Sequence, residues 1–394
     1  MKKLLAPYVI GLVMLLSACN TETTAPKTYS AVIEAFGTQI DPNNLPNYAN
    51  QSTPTYIRKD NTGSNPITDE KATLGRVLFY DKSLSIDNSI SCASCHKQAL
   101  AFGDTTLASA GVQAGVTTRH SMRLINTRYA NEIKFFWDER AATLEDQVTD
   151  PIQDHAELGF SGQTGRPNFA ALLTKLNGIA YYKELFQLAY GSPIVTEQRI
   201  QDALANFIRS IQSFDSKFDA GRALAPNDAA PFQNFTAQEN LGKQLFLTPP
   251  VFNPNSVRIS GGAGCQGCHR APEFDIDPNT RNNGVVRRIV AGGTLDLTNT
   301  RSPSLRDAVN TAGGSNGPFM HNGVFSTLQN VMGHYNTIPI VQGNTSLDAR
   351  LMPGGIGQNL NLTPAETAAL VAFVRTLSGR DVYTNEKWSN PFNQ

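Results

Sequence analysis

Residues 92–96 read CASCH and residues 265–269 read CQGCH, and these two stretches decide how the rest of the chain is read. C-x-x-C-H is the attachment motif for haem c. Two thiols one helical turn apart add across both vinyl groups of the porphyrin, and the adjacent imidazole reaches the iron from the proximal side. Cys92, Cys95 and His96 form one such set, and Cys265, Cys268 and His269 form a second. A four-cysteine zinc site or a redox-active dithiol is the competing reading, and it leaves both histidines unexplained. The chain has 5 cysteines. These four and Cys19 use all of them, so none remains for a structural disulfide.

Cys19 belongs to the leader MKKLLAPYVIGLVMLLSACN (1–20). Lys2 and Lys3 precede an apolar run over 4–16 that is shorter than the about 20 residues a membrane-spanning helix needs. The ending Leu16-Ser17-Ala18-Cys19 resembles the lipobox of bacterial lipoproteins, in which the cysteine is lipidated and becomes the first mature residue. An ordinary secretory signal with a chance cysteine is the alternative. Either reading exports the chain, and the expected location is the periplasmic side of a bacterial membrane, held there by lipid. Residues 1–18 are read as signal peptide, and 19–65, rich in Thr, Asn and Pro, as a flexible tether. Lys plus Arg equals Asp plus Glu at 33 each, so no charge excess points to nucleic acid as a partner. A chain with 17% charged residues, 31 glycines and 22 prolines suits a loop-rich globular protein, not a disordered one.

The sequence around the two motifs repeats. Leu74-Gly75-x-x-Leu78-Phe79 precedes the first and Leu241-Gly242-x-x-Leu245-Phe246 the second. Phe102 and Asp104 follow the first, Phe274 and Asp275 the second, and Thr118-Arg119 matches Thr300-Arg301. Further on, FFWDERAATLEDQVTDP (135–151) aligns with FMHNGVFSTLQNVMGHY (319–335), pairing Phe135 with Phe319, Thr143 with Thr327 and Leu144 with Leu328. A duplicated unit is the economical reading. The expected fold is mainly α, with two tandem cytochrome c-like domains over 66–230 and 231–394, each with one covalently bound haem c. The boundary falls in GRALAPNDAAPFQNFT (221–236). Capping boxes at Thr236/Glu239 and Thr363/Glu366 open helices. The second carries Leu370, Val371, Val374 and Leu377 on one face and stops before Gly379. A helix from Thr196 presents Ile200, Leu204, Phe207, Ile208 and Ile211. Sustained alternation is absent, so strands should be few.

A haem held by protein on both faces carries electrons, whereas one with a free face binds peroxide or oxygen. The internal register sets Tyr335 opposite Pro151. Tyrosine offers a phenolate oxygen and proline offers nothing, so the second haem is expected to be closed by Tyr335 and the first to be open. Met332, one turn earlier on the same helix face, is the alternative ligand.

With these features on the page, the chain resembles the bacterial di-haem cytochrome c peroxidases and the related MauG-type enzymes over roughly residues 66–385. The resemblance rests on both C-x-x-C-H motifs, Phe136-Trp137-Asp138-x-Arg140, Leu144-Glu145-x-Gln147, Glu157-Leu158-Gly159, Pro303-Ser304-Leu305-Arg306 and His321-Asn322-Gly323. It implies that the N-terminal haem is the peroxide site and that the C-terminal haem relays electrons. His96 would then be proximal ligand to the peroxide haem and His269 to the relay haem. Glu157 would shift a proton between the two peroxide oxygens, Gln147 would order the distal pocket, and Trp137 would conduct between the haems. Tyr335 stands where peroxidases place a methionine and where MauG-type enzymes have tyrosine.

Two departures from the family pattern matter. The loop AGVQAG (110–115) lacks the histidine that blocks the resting site in many peroxidases. His120 stands where an asparagine usually binds calcium between the haems, which puts that calcium in doubt although the carbonyls of Arg301 and Pro303 remain. His120 and His155 are expected as distal-pocket or structural residues before sixth ligands of the open iron. The first reading is a peroxidase reducing hydrogen peroxide to water, with a small cytochrome c or cupredoxin as donor. The second is a MauG-like enzyme that uses peroxide to oxidise Trp or Tyr of a partner protein. A non-catalytic electron shuttle is third, and it leaves Glu157, Gln147 and Trp137 without work. A homodimer stays open.

Overall fold

The computed structural model describes residues 28–130, 134–276, 280–289 and 295–392. Cys19 and the whole leader (1–20) lie outside them.

Helices dominate. The first part of the chain forms α1 (Ser30–Phe36), α2 (Asp69–Tyr80), α3 (Cys92–Cys95), α4 (Leu144–Gln147), α5 (Asp150–Gln153), α6 (Phe169–Asn177), α7 (Ala180–Tyr190) and α8 (Glu197–Ser210). The second forms α9 (Lys217–Leu224), α10 (Ala237–Leu247), α11 (Leu328–Asn336) and α12 (Pro364–Arg375). Among the described residues the named strands make two antiparallel pairs, β1 (Pro250–Phe252) with β2 (Arg258–Gly261) and β3 (His269–Arg270) with β4 (Asp275–Ile276). Thr68, Thr196, Thr236 and Thr363 each accept a backbone N–H with the side chain at the start of α2, α8, α10 and α12. α12 ends at Arg375, so Leu377 is buried just beyond the helix and Gly379 lies further out than a C-cap.

Each half is built on one pair of helices, α2 on α8 and α10 on α12. The repeated glycine explains the closeness of both crossings. A Cβ at Gly75 would collide with the Ala203 carbonyl, and a Cβ at Gly242 with the Ala369 carbonyl. Around each crossing sits the same aromatic triad. Phe79 lies 5.9 Å from Phe102 and 5.1 Å from Phe207. Phe246 lies 5.7 Å from Phe274 and 5.2 Å from Phe373. Such pairs contribute roughly 0.5–1.5 kcal/mol each beyond burial. Phe102 and Phe274 share an uncommon left-handed backbone, with φ of 60° and 55°.

The register over 135–151 and 319–335 recurs in the backbone. Phe135 bridges Ala141 and Phe319 bridges Phe325. Phe136 and Met320 have φ of 73° and 74°. Thr143 caps α4 and Thr327 caps α11. What runs as one helix in α11 is broken into α4 and α5 in the first half, where Pro151 enters.

Two expectations about chain organisation need correction. The stretch read as a tether is folded from Ser30 onward: Val32, Phe36, Ile40 and Tyr48 are buried in the first core, because this polar-looking stretch still carries enough apolar anchors. The tail also returns to the first core, where Val382 and Trp388 are buried. Phe218 of α9 packs in the second core, so the changeover precedes residue 217 and is not at 230.

Candidate active site

The first attachment motif is one short turn. The Ser91 N–H donates to Ser94 Oγ at 3.0 Å and so fixes the start of α3. Cys92 and Cys95 are free thiols. Burial pushes Cys92 up to about 12 and Cys95 up to about 11. His96 pairs its Nδ1 with the Phe102 carbonyl at 3.0 Å, which leaves Nε2 for a metal.

Glu157 lies close enough to both thiols that its charge raises their pKa values. Its own carboxyl is pushed up to about 7, first by burial and then by Asp154 and Asp150, with Arg140 opposing. The Asp154 side chain accepts the N–H groups of Ala156 and Glu157 at 2.7 and 3.0 Å and holds that turn. The loop lacking a histidine lies directly on it. The Val112 N–H donates to the Glu157 carbonyl at 2.9 Å, and a Cβ at Gly111 or Gly115 would strike Ala156. Gln147 closes α4 and is partly buried.

Each candidate histidine has its Nδ1 engaged outside this site. His155 is exposed and meets Ser161 Oγ at 3.0 Å. His120 is buried, with Nδ1 on the Thr106 carbonyl at 2.8 Å, and it lines the cavity of the second site.

That cavity has a volume of about 810 Å³. Cys265, Cys268 and His269 line it, as do Met320, Met332 and Tyr335. Burial pushes Cys265 up to about 12 and His269 down to about 4, which keeps a protonated thiol and a neutral, metal-binding imidazole. Burial also raises the Tyr335 hydroxyl above its ordinary value, with Cys268 and Cys265 adding to the rise. The Tyr335 oxygen receives an N–H from Asn283 Nδ2 at 3.0 Å. Met332 is 7% exposed and packs in the second core with Phe246 and Leu328. His334 faces the Asn283 carbonyl through Nε2 at 2.8 Å. Sequence reasoning missed Asn283 and Met320, whose sulfur lies 3.1 Å from Asn283 Nδ2. No motif marks Asn283, and Met320 is visible only as the residue before His321-Asn322-Gly323.

Trp137 runs from a loop of the first half to the second cavity. Its Nε1 donates to the His120 carbonyl at 2.7 Å, and its own carbonyl accepts the Arg301 N–H at 3.1 Å. Its ring meets His321 edge-on with centroids 6.3 Å apart, and it lines the second cavity. Arg119 pins this region by pairing with Asp138 at 2.6 Å and with Asp296 of the second half at 2.8 Å. Hydrogen bonds from Arg119 and Thr298 outweigh the opposing effect of burial and hold Asp296 down at about 2. The expected calcium finds no support in side chains. Among the described residues no group of three or more His, Cys, Asp or Glu could hold a metal ion, and the His120 ring is engaged by Thr106.

In each half two thiols stand one turn apart beside an imidazole, and the second set opens on a large cavity. That donor set fits covalently attached haem c. Comparison with known proteins agrees. The family described as di-haem cytochrome c peroxidase matches residues 69–224. The chain is 30% identical to methylamine utilization protein MauG of Methylophilus methylotrophus over 322 residues, covering 80% of this chain and 84% of that protein. It is 26% identical to cytochrome c551 peroxidase of Nitrosomonas europaea, covering 80% and 81%. A solved MauG-like protein associated with microbial copper homeostasis superposes with TM-score 0.66 at 26% identity, covering 87% of this chain and 99% of that one. The diheme peroxidase BthA of Burkholderia thailandensis shares the fold with TM-score 0.60 at 22% identity, covering 85% and 90%. The chain is an oxidoreductase and belongs to the family of di-haem cytochrome c peroxidases and MauG.

Proposed function

We propose that the chain reduces hydrogen peroxide at a haem carried by Cys92, Cys95 and His96. Electrons reach it through Trp137 and a second haem carried by Cys265, Cys268 and His269. Haem iron supplies the site where peroxide binds and the capacity to take up electrons one at a time. The observation that carries this reading is Glu157, whose carboxyl titrates at about 7 beside the first pair of thiols. A group poised there accepts the proton of the near peroxide oxygen and returns it to the far oxygen, which leaves as water. Such proton transfer contributes typically 10²–10⁴-fold. Gln147, at the end of α4, would orient the peroxide. Trp137 would carry electrons, held by hydrogen bonds at both its indole and its carbonyl.

The second site bears on where the electrons come from. A phenolate is a hard, anionic ligand that favours ferric iron, whereas a thioether raises the reduction potential. Tyr335 and Met332 both line the cavity, and the Tyr335 oxygen is engaged by a donor. This favours the MauG-like branch, in which peroxide drives oxidation of Trp or Tyr on a partner protein. A small cytochrome c or cupredoxin as donor is the second reading, and the relatives named cytochrome c peroxidase favour it. In both, the protein works on the periplasmic side of a membrane, lipid-anchored through Cys19.

Tyr335→Phe tests the ligand. The expected result is a changed ferric absorption and EPR spectrum for the second haem, with peroxide binding at the first unaltered. A spectrum unchanged in Tyr335→Phe but altered in Met332→Leu would assign the ligand to Met332 and remove the case for the MauG-like branch.

A further inference from the structure

The Asn283 side chain meets the Tyr335 oxygen, and its setting is built from three directions. Its Oδ1 accepts the Val285 N–H at 3.1 Å, so the amide cannot turn over without losing that bond. Nδ2 must therefore face Tyr335, 3.0 Å from the phenol oxygen. Its backbone carbonyl is met by His334 Nε2 at 2.8 Å. His334 and Tyr335 are neighbours on α11, so a single helical turn grips Asn283 by both backbone and side chain. The residue before it is fixed as well. Asn282 and Asn344 exchange two amide hydrogen bonds of 2.9 Å, and the Asp348 N–H donates to the Asn282 carbonyl at 2.9 Å.

An amide nitrogen can only donate. The oxygen it faces is thereby cast as an acceptor, which suits a phenolate better than a phenol, and a hydrogen bond to an anionic acceptor is the stronger kind. Withdrawing electron density from that oxygen weakens its donation to a metal and so raises the reduction potential of the metal it binds. Resting on the reading of Tyr335 as ligand, we infer that Asn283 is a positioning residue that holds Tyr335 in its ligating form and sets the reduction potential of the second haem. His334 is the brace behind it, which gives a task to the histidine of the NVMGHYN stretch (330–336).

The experiment uses the full di-haem protein and three variants, Asn283→Leu, Asn283→Ala and Tyr335→Phe. Midpoint potentials of both haems are measured by redox titration. The phenolate–iron vibration is followed by resonance Raman in water and in deuterated water. The expected result for Asn283→Leu is a lower potential for the second haem alone, with the deuterium sensitivity of the phenolate vibration lost. A purely structural role would not remove that sensitivity selectively. Should the leucine variant fail to fold, Asn283→Ala gives the same readings. The inference is overturned if the potential and the deuterium shift persist without Asn283 while Tyr335→Phe abolishes the vibration. If no phenolate vibration exists in the unaltered protein, the ligand reading falls and this inference falls with it.

Discussion

Glu157 is where chemistry and stability pull in opposite directions. Its folded value of about 7 lies above the ordinary 4.5, so the native state binds a proton more tightly than the unfolded chain between those two values. Stability linked to this group is therefore present at low pH and is lost as pH rises through about 7. Turnover runs the other way, because the ionised carboxylate accepts the first proton, so the rate should climb through about 7. Glu157→Gln should keep both haems, lose peroxide turnover by about 10²–10⁴-fold and lose that inflection. It should also melt higher than the unaltered protein at about pH 8 and nearly level with it at about pH 4. Thermal melts at both pH values and a pH–rate profile check this together, and retained turnover would remove Glu157 from the mechanism. Its candidacy was legible in the sequence only through the family resemblance carried by Glu157-Leu158-Gly159. Its electrostatics were not, since Asp154, Asp150 and Arg140 converge on it only through folding. Asn283 shows the same limit more sharply, because it meets Tyr335 from a segment 52 residues away.

At the scale of elements, the duplication is carried by helix crossings, and there glycine has two different meanings. Gly75 and Gly242 sit where two helix backbones touch. Replacing either by alanine should cost about 1–3 kcal/mol or more by forcing those backbones apart. Gly333, inside α11, has nothing within 4 Å of where a Cβ would stand. Gly333→Ala should therefore stabilise by about 0.5–1 kcal/mol, since a helical glycine has more freedom to lose on folding. Denaturant melts of the three variants should show two losses and one gain, and a loss at Gly333 would mean that α11 is packed differently. The helices were readable from capping residues and apolar spacing, and the register from three identities that the backbone repeats at Phe135/Phe319 and Phe136/Met320. The break between α4 and α5 was readable too, from Pro151. The small hairpin β1–β2 was not, because four residues of mixed polarity carry no strand period.

Across the whole molecule the halves are stitched more closely than two beads on a string. The tail returns to bury Trp388 in the first core, and Tyr56, from the stretch read as a tether, donates to Asp219 of the second half at 2.8 Å. Composition alone could not show this, since a Thr-, Asn- and Pro-rich stretch docks through a few anchors such as Phe36 and Tyr48. The stitching holds Trp137 between a loop of the first half and the wall of the second cavity, which suits electron flow between two sites. The central claim is that the first site stands ready for peroxide while the second is closed. His155 is exposed, His120 lines the second cavity, and the loop over Glu157 carries no histidine. The most direct test is stopped-flow mixing of hydrogen peroxide with the fully oxidised di-haem protein, with freeze-quench EPR of both ferric signals. The account predicts an immediate change, with loss of the first haem's ferric signal before any reductant is added. A protein that stays silent until one electron is supplied would contradict it.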